Sequence, residues 1–441
     1  MQAFCFPKHK QALLCIVIAF ASVCSVADSR AEKPAAARKA GTFEVHEWGT
    51  FLSVQGSDGV TLGGMVDSEE ALPPFVEARG IQTWQRSMMF QKMETPVTYF
   101  YTDRPRDVAI RIDMPRGILT HWYPPVRSFG PSPYAPPAES KAGSFIAWQP
   151  VRPGNQAIRL IPDVQPLPKV AGIPAPTLTP VNTDQTWRFA RATDAAFVGI
   201  RTWNTQGQPE YHFEKFLFYR GLGTFPLPLQ VTSSESTGGG LVLTLRNIQR
   251  RPLESVFAVW VDDGTLRFAS LGDVAGNATR EVALEAALTR RLPMNEGVRR
   301  VKEAVKTALI ARGLFTKEAQ AMVNTWEKSY FHSPGLRLLY VLPRPTVDEV
   351  IPIQIQPPPD KLVRVMVGRV EVLYPERERQ ITRAVAGLGS DEFRIREAAT
   401  QELAQLGRIT EPALRRVAAT TTDWEVRARA RSLIAKVSPT P

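Results

Sequence analysis

Cysteine is confined to positions 5, 15 and 24 of the 441 residues. All three precede the cleavage point argued below, so the mature chain has none. Their absence excludes disulfides, thiolate zinc sites, cysteine nucleophiles, iron–sulfur ligation and covalent haem attachment. Histidine is scarce as well. Beyond residue 27 only His46, His121, His212 and His332 remain, and no two stand at the helical spacing of a metal site. There is no Gly-x-Ser-x-Gly elbow, Walker loop, dinucleotide fingerprint or His-Glu-x-x-His helix. Gly238-Gly239-Gly240 lacks a following Lys-Ser and reads as a hairpin tip. After the first 26 residues no run is apolar enough for a membrane helix.

The N-terminus has the three zones of a secretory signal. Lys8, His9 and Lys10 are basic, Ala12 to Val26 is almost wholly apolar, and Ser25-Val26-Ala27 supplies small residues. The expected cut follows Ala27. The apolar run is short of the ~20 residues that span a bilayer. Lipidation at Cys24 is disfavoured because Val23 precedes it, where a small residue is usual. Residues 28–41 form a basic, aperiodic lead-in. The protein is expected to be exported, periplasmic or extracellular.

The net charge of +11 is spread along the chain. It suits an anionic glycan or an envelope protein as partner. Export and the lack of any recognition motif exclude nucleic acid. With 29 glycines and 37 prolines, turns and short elements are favoured over long helices.

From Thr42 the chain reads as short strands broken by Gly, Pro, Asn and Asp. Examples are Thr42 to Val54, Pro96 to Thr102, Val108 to Ile112, Ser144 to Trp148, Ala196 to Trp203 and Tyr211 to Tyr219. Pro124 to Pro137 and Pro162 to Pro180 are extended connections. Residues 231–284 have the strand–turn–strand spacing of half an immunoglobulin-like sandwich. A helix from residue 295 carries Val298, Val301, Val305 and Leu309 on one face. It packs on a core or lies on a membrane surface. Thr316 is expected to cap the next helix, through Trp326. Strand character returns at Leu336 to Leu342, Val350 to Ile355 and Leu362 to Leu373.

Residues 376–437 read as four short helices. Expected caps are Ser390 and Thr422 or Asp423, with a stop at Gly407 and a start at Thr410-Glu411-Pro412. Phe393, Ile395, Arg396, Ala399 and Leu403 recur as Trp424, Val426, Arg427, Ala430 and Ile434, which suggests an α-solenoid. The expected fold class is mainly β with α, a β-sandwich-like body plus a small C-terminal HEAT-like helical module. The expected divisions are 1–27, 28–41, 42–230, 231–375 and 376–441, with 42–230 and 231–375 separate or one domain.

Two His/Glu pairs are the candidate chemistry. Glu44 with His46, and His212 with Glu214, are two residues apart on expected strands, so each pair shares a face. If brought together, the four could bind zinc or another divalent metal, or serve as an acid and base in a hydrolase. Hydrogen bonding on a half-buried sheet face is the plainer reading, and no cofactor is otherwise implied. A third possibility is sugar stacking on exposed rings among Trp84, Tyr99, Tyr101, Trp122, Tyr123, Trp148, Trp187 and Trp203. The acidic pairs Glu69-Glu70 and Asp262-Asp263 could serve a glycosidase, though Asp262-Asp263-Gly264 suits a hairpin turn.

Four runs are distinctive: Glu44-Val45-His46-Glu47-Trp48-Gly49-Thr50-Phe51, Lys92-Met93-Glu94-Thr95-Pro96-Val97, Glu214-Lys215-Phe216-Leu217-Phe218-Tyr219-Arg220-Gly221 and Val363-Arg364-Val365-Met366-Val367-Gly368-Arg369. Over roughly residues 42–375 they resemble a family of exported proteins of planctomycete-like and similar soil and aquatic bacteria. The segment 376–441 resembles the short HEAT-like tails of many exported proteins in that group. The resemblance implies an exported location and a body-plus-tail split. It implies no activity, ligand or catalytic residue. The leading expectation is a non-enzymatic interaction or structural protein of the cell envelope.

Overall fold

Phe43–Gln55 forms a strand buried on both faces, with only Glu44 part-exposed. Strands buried on both sides normally read as near-continuous apolar runs. This one also carries His46, Glu47, Thr50, Ser53 and Gln55, all buried. Such groups must find partners inside the fold, and their partners define the regions described below. The computed structural model describes residues 41–63, 72–79, 90–132, 143–154, 178–182 and 185–437. The signal sequence, nearly all of the lead-in, most of Pro162 to Pro180, Trp84 and Glu69-Glu70 lie outside them.

Among the described residues the largest sheet has ten strands. We number its six central strands in chain order: β1 (Phe43–Gln55), β2 (Gln91–Thr102), β3 (Leu217–Gly223), β4 (Leu253–Asp262), β5 (Gly335–Val341) and β6 (Lys361–Val372). In space they run β4-β5-β6-β1-β2-β3. Thr265–Val274 and Leu292–Pro293 extend the β4 edge, and Gly117–Tyr123 and Glu77–Ala78 extend the other. β1 pairs in parallel with β6 and antiparallel with β2. Strands on both sides of residue 230 share this sheet, so 42–375 forms one β body. Residues Ala40–Pro441 make a single compact unit.

Each face of the sheet has its own cover. Phe43, Val45 and Phe51 point towards the smaller sheets and pack with Ile112, Trp148, Leu243 and Leu245. This is the sandwich interior. The strands of 231–284 divide between its layers: Leu253–Asp262 and Thr265–Val274 join the large sheet, while Leu241–Asn247 and Thr279–Ala283 join a three-stranded one.

The opposite face lies under helices. Trp48, Val365 and Val367 pack with Val298, Val301, Val305 and Leu309 of α1 (Met294–Ala311) and with Met322 of α2 (Thr316–Trp326). The apolar stripe of α1 is thus spent on the sheet, which rules out the membrane-surface reading. Further along, Leu52, Val54 and Leu373 pack with Ile381, Leu403, Leu414 and Leu433. Those residues belong to α3 (Pro375–Gly387), α4 (Phe393–Leu406), α5 (Glu411–Thr420) and α6 (Trp424–Val437). The C-terminal helical module is therefore docked on the sheet by a shared core.

A bulge in β2 decides which residues face these helices. Trp48 of β1 opposes Val97, but Thr50 opposes Glu94, so β2 carries an extra residue. Thr95 takes it up with φ 49°. Bulges re-aim side chains, and this one places Lys92 and Glu94 on the helix-covered side along with Val97 and Tyr99. Gly49 is required beside it: a Cβ there would lie 2.9 Å from Pro96 Cα.

Several expected boundaries are corrected. Tyr211 to Tyr219 is two strands, Pro209–Glu214 and β3, in different sheets. Val350 to Ile355 is a helix end, Arg344–Val350, followed by the strand Ile353–Gln356. Ser390 lies three residues before Phe393, the first residue of α4, and accepts from the Glu392 N–H rather than capping the helix directly. Asp423 does cap α6, accepting from Glu425 and Val426.

Candidate functional site

His46 and Glu44 share a face of β1, as alternation requires. His46 Nε2 is 3.6 Å from a Glu44 carboxylate oxygen. The dominant partner comes from far along the chain. Glu318, in the first turn of α2, is fully buried, and one of its oxygens is 2.8 Å from His46 Nδ1. The Tyr101 hydroxyl donates to the other oxygen at 2.7 Å. The Phe315 backbone N–H donates to Glu318 at 2.7 Å, which makes Glu318, and not Thr316, the residue that satisfies the start of α2. The Phe315 ring lies 4.4 Å from the imidazole, close to parallel. A buried carboxylate with three donors is satisfied. The cluster fastens α2 to the sheet.

His212 and Glu214 belong to a different sheet and a different network. The His212 ring nitrogen Nε2 is 2.9 Å from the Thr202 hydroxyl. Burial lowers the His212 pKa, against the opposing pull of Glu210. Glu214 is fully buried and takes the Arg191 guanidinium at 2.7 Å and the Trp187 indole N–H at 3.0 Å. Tyr99 feels both networks: burial first, then Glu318 and Glu214, push its phenol well above the usual range. Among the described residues no group of three or more His, Cys, Asp or Glu could hold a metal ion. The structure places the pair Glu44 and His46 in the ten-stranded sheet and the pair His212 and Glu214 in the six-stranded one. Strand register divides the pairs between sheets, and cations, indole and hydroxyl groups occupy them.

Of the rings that could have formed a sugar-stacking face, nearly all that lie among the described residues are buried. Tyr99, Tyr101, Trp122, Tyr123, Trp148 and Trp187 are buried, and Trp203 is 58% exposed. Of the remaining histidines, His121 lies 3.0 Å from the Thr120 hydroxyl, and His332 is exposed.

Large apolar side chains are exposed on the helical module too, among them the most exposed of the described residues. Trp424 is 76% exposed, Phe393 62% and Ile395 44%. Phe393 and Trp424 open α4 and α6, which pack side by side. Arg396 Nε is 3.0 Å from Glu425, and Arg429 is 2.7 Å from Glu397. These ion pairs align the two helices in the same direction, so both aromatic residues emerge at one end of the module. The sequence repeat had placed Phe393 and Trp424 in equivalent positions. Repeat equivalence alone does not distinguish a core position from a surface one.

No helix among the described residues is long and apolar enough to cross a membrane. No family model and no curated protein matches the sequence. Among solved structures, the yeast delta-COP-I mu-homology domain is similar with a TM-score of 0.26 at 8% identity, covering 76% of this chain and 97% of that one. The same domain complexed with Dsl1 WxWxV peptide gives a TM-score of 0.27 at 8% identity, covering 76% and 99%. So slight a likeness carries no argument.

Proposed function

We propose that this chain is an exported, non-enzymatic interaction protein of the cell envelope, and that the end of the helical module bearing Phe393, Ile395 and Trp424 is its binding face. The observation that supports this reading is the exposure of Phe393 and Trp424, which open two helices aligned in the same direction. The module already has a filled interior in Leu403, Leu414 and Leu433, so these rings are surplus to its packing. Exposed apolar area costs about 25 cal/mol per Å² relative to burial. Tryptophan is also enriched where a few residues dominate an interface. Arg394 is exposed between Phe393 and Ile395. An aromatic centre flanked by Arg394 and by the exposed Asp391, Glu392 and Asp423 suits an envelope protein with an apolar pocket inside a rim of mixed charge.

The test compares wild-type protein with the Phe393→Ala/Trp424→Ala double variant, after matching their thermal melts. Both are crosslinked to envelope fractions of the native host. A discrete partner held by the wild type and lost by the variant supports the proposal. Equal capture by both, or capture by neither, overturns it.

A further inference from the structure

A cleft of ≈ 380 Å³ opens where the helical module meets the sheet. Its walls include Lys328 on the turn Glu327–His332, Arg337 and Arg369 on β5 and β6, and Arg408 and Lys436 on the module. Glu371 is the one carboxylate lining it.

The floor is built and buried. Arg337 and Arg369 grip Glu371 from two sides, with Nε–oxygen distances of 3.0 and 2.6 Å. Burial alone would raise the Glu371 carboxyl, but the two guanidiniums reverse this and hold it below its usual range. The floor therefore keeps an excess positive charge. Backbone carbonyls fix the guanidiniums: Arg337 donates to Tyr330, Ser333 and Pro334, and Arg369 to Ser329. Tyr330 and Ser329 belong to Glu327–His332, a π-helical turn. Such turns are rare and frequently mark functional sites. Behind the floor, Glu94 answers Lys92 at 3.0 Å and Arg408 at 3.5 Å, and accepts from the Tyr330 hydroxyl at 3.0 Å.

We propose that this cleft binds a phosphoryl group bearing at least two negative charges. The five lining cations and Lys92 outnumber Glu371 and Glu94, the two carboxylates described among them, and a dianion in the cleft offsets the remaining repulsion. The cations come from three separate segments: the turn, the sheet and the module. A carboxylate offers two oxygens and a single charge, whereas a phosphoryl group offers three oxygens and a larger charge. Arginine forks are the usual donors to such oxygens. The volume lies within the range of small-ligand sites. A bound phosphoryl group would also tie the module to the body by charge, in addition to their shared core.

Isothermal titration with pyrophosphate, at fixed ionic strength, tests this on the mature protein. Pelleting with phosphatidic acid vesicles, whose phosphomonoester can carry two charges, tests whether the phosphoryl group is a lipid headgroup. The cleft variant is Lys328→Gln/Lys436→Gln, both residues being exposed. The control, Arg383→Gln/Arg416→Gln, removes the same charge from exposed positions outside the cleft lining. The expected result is saturable binding, weakened about tenfold or more in the cleft variant and unchanged in the control. Vesicle binding lost only in the cleft variant, without pyrophosphate binding, assigns the group to a lipid headgroup. No saturable binding of either probe, or equal weakening in both variants, overturns the proposal.

Discussion

Glu47 and Arg364 face each other across the parallel pair β1–β6, with Arg364 Nε 2.6 Å from Glu47 Oε2 and both side chains fully buried. The Tyr219 hydroxyl donates to the other Glu47 oxygen at 2.5 Å. Arg364 also reaches Asp348 at 2.7 Å and the Ile351 carbonyl at 2.8 Å. Burial alone would favour the neutral guanidine; Glu47, then Tyr219, overcome that and raise the Arg364 pKa.

Removing one partner leaves the other charged in the core. Arg364→Met is expected to cost about 3–5 kcal/mol, read from urea unfolding. The double variant Glu47→Leu/Arg364→Met should recover part of that loss, because two apolar side chains leave no lone charge behind. A double variant less stable than Arg364→Met alone would mean that the pair contributes more than mutual neutralisation.

The Glu318 cluster gives a second prediction. Glu318→Ala strips the acceptor from His46, Tyr101 and the Phe315 N–H, and each unsatisfied buried donor costs about 1–3 kcal/mol. A total of about 3 kcal/mol or more is expected in urea unfolding. Metal content is the companion measurement. Untagged protein from the native host and its His46→Ala variant should have the same metal content by elemental analysis. A stoichiometric metal lost in His46→Ala would overturn the structural reading of this cluster.

Acid stability supplies a third. Folding lowers the Glu371 carboxyl below its ordinary value of 4.5, since Arg337 and Arg369 outweigh the effect of burial. Between the folded and unfolded values the unfolded chain binds more protons, so stability rises with pH there. Glu371 contributes fully above about pH 4.5 and loses its contribution as the pH falls through the lowered value. His212 has the same sign: lowered from 6.5 by burial, it contributes fully above that value and loses its contribution as the pH falls. Urea midpoints measured from about pH 8 to about pH 3 should decline in two stages. Glu371→Gln should flatten the lower stage and leave the upper one in place. A lower stage unaffected by this substitution would place the acid sensitivity elsewhere.

The sequence made the elements legible where local chemistry decides them. Gly407 ends α4 at φ 69°, and Asp423 caps α6, as their types suggest. It also placed His46 beside Glu44. It could not supply Glu318, which lies 272 residues from His46 and is delivered by the packing of α2. Nor could it foresee that Glu214 faces Arg191, a contact set by how the sheets stack. The runs around Glu47, Glu94 and Arg364 carry polar residues within buried strands. That is a sign of buried pairing, with partners fixed only by register and by the β2 bulge. The cleft was illegible for the same reason: its cations are scattered between residues 328 and 436 and meet only when the module docks.

The parallel pairing of β1 with β6 also governs when the sheet can form. Its two central strands are among the first and last of the β body, and Glu47 and Arg364 are 317 residues apart. Loop closure over such a distance must precede the contacts that reward it, which slows folding. A chain emerging in order can pair β1 with β2 early, but β1 lacks its parallel partner until residue 372 has followed. That delay defers completion of the large sheet, and of the cores packed on both its faces, until nearly the whole β body is available to fold.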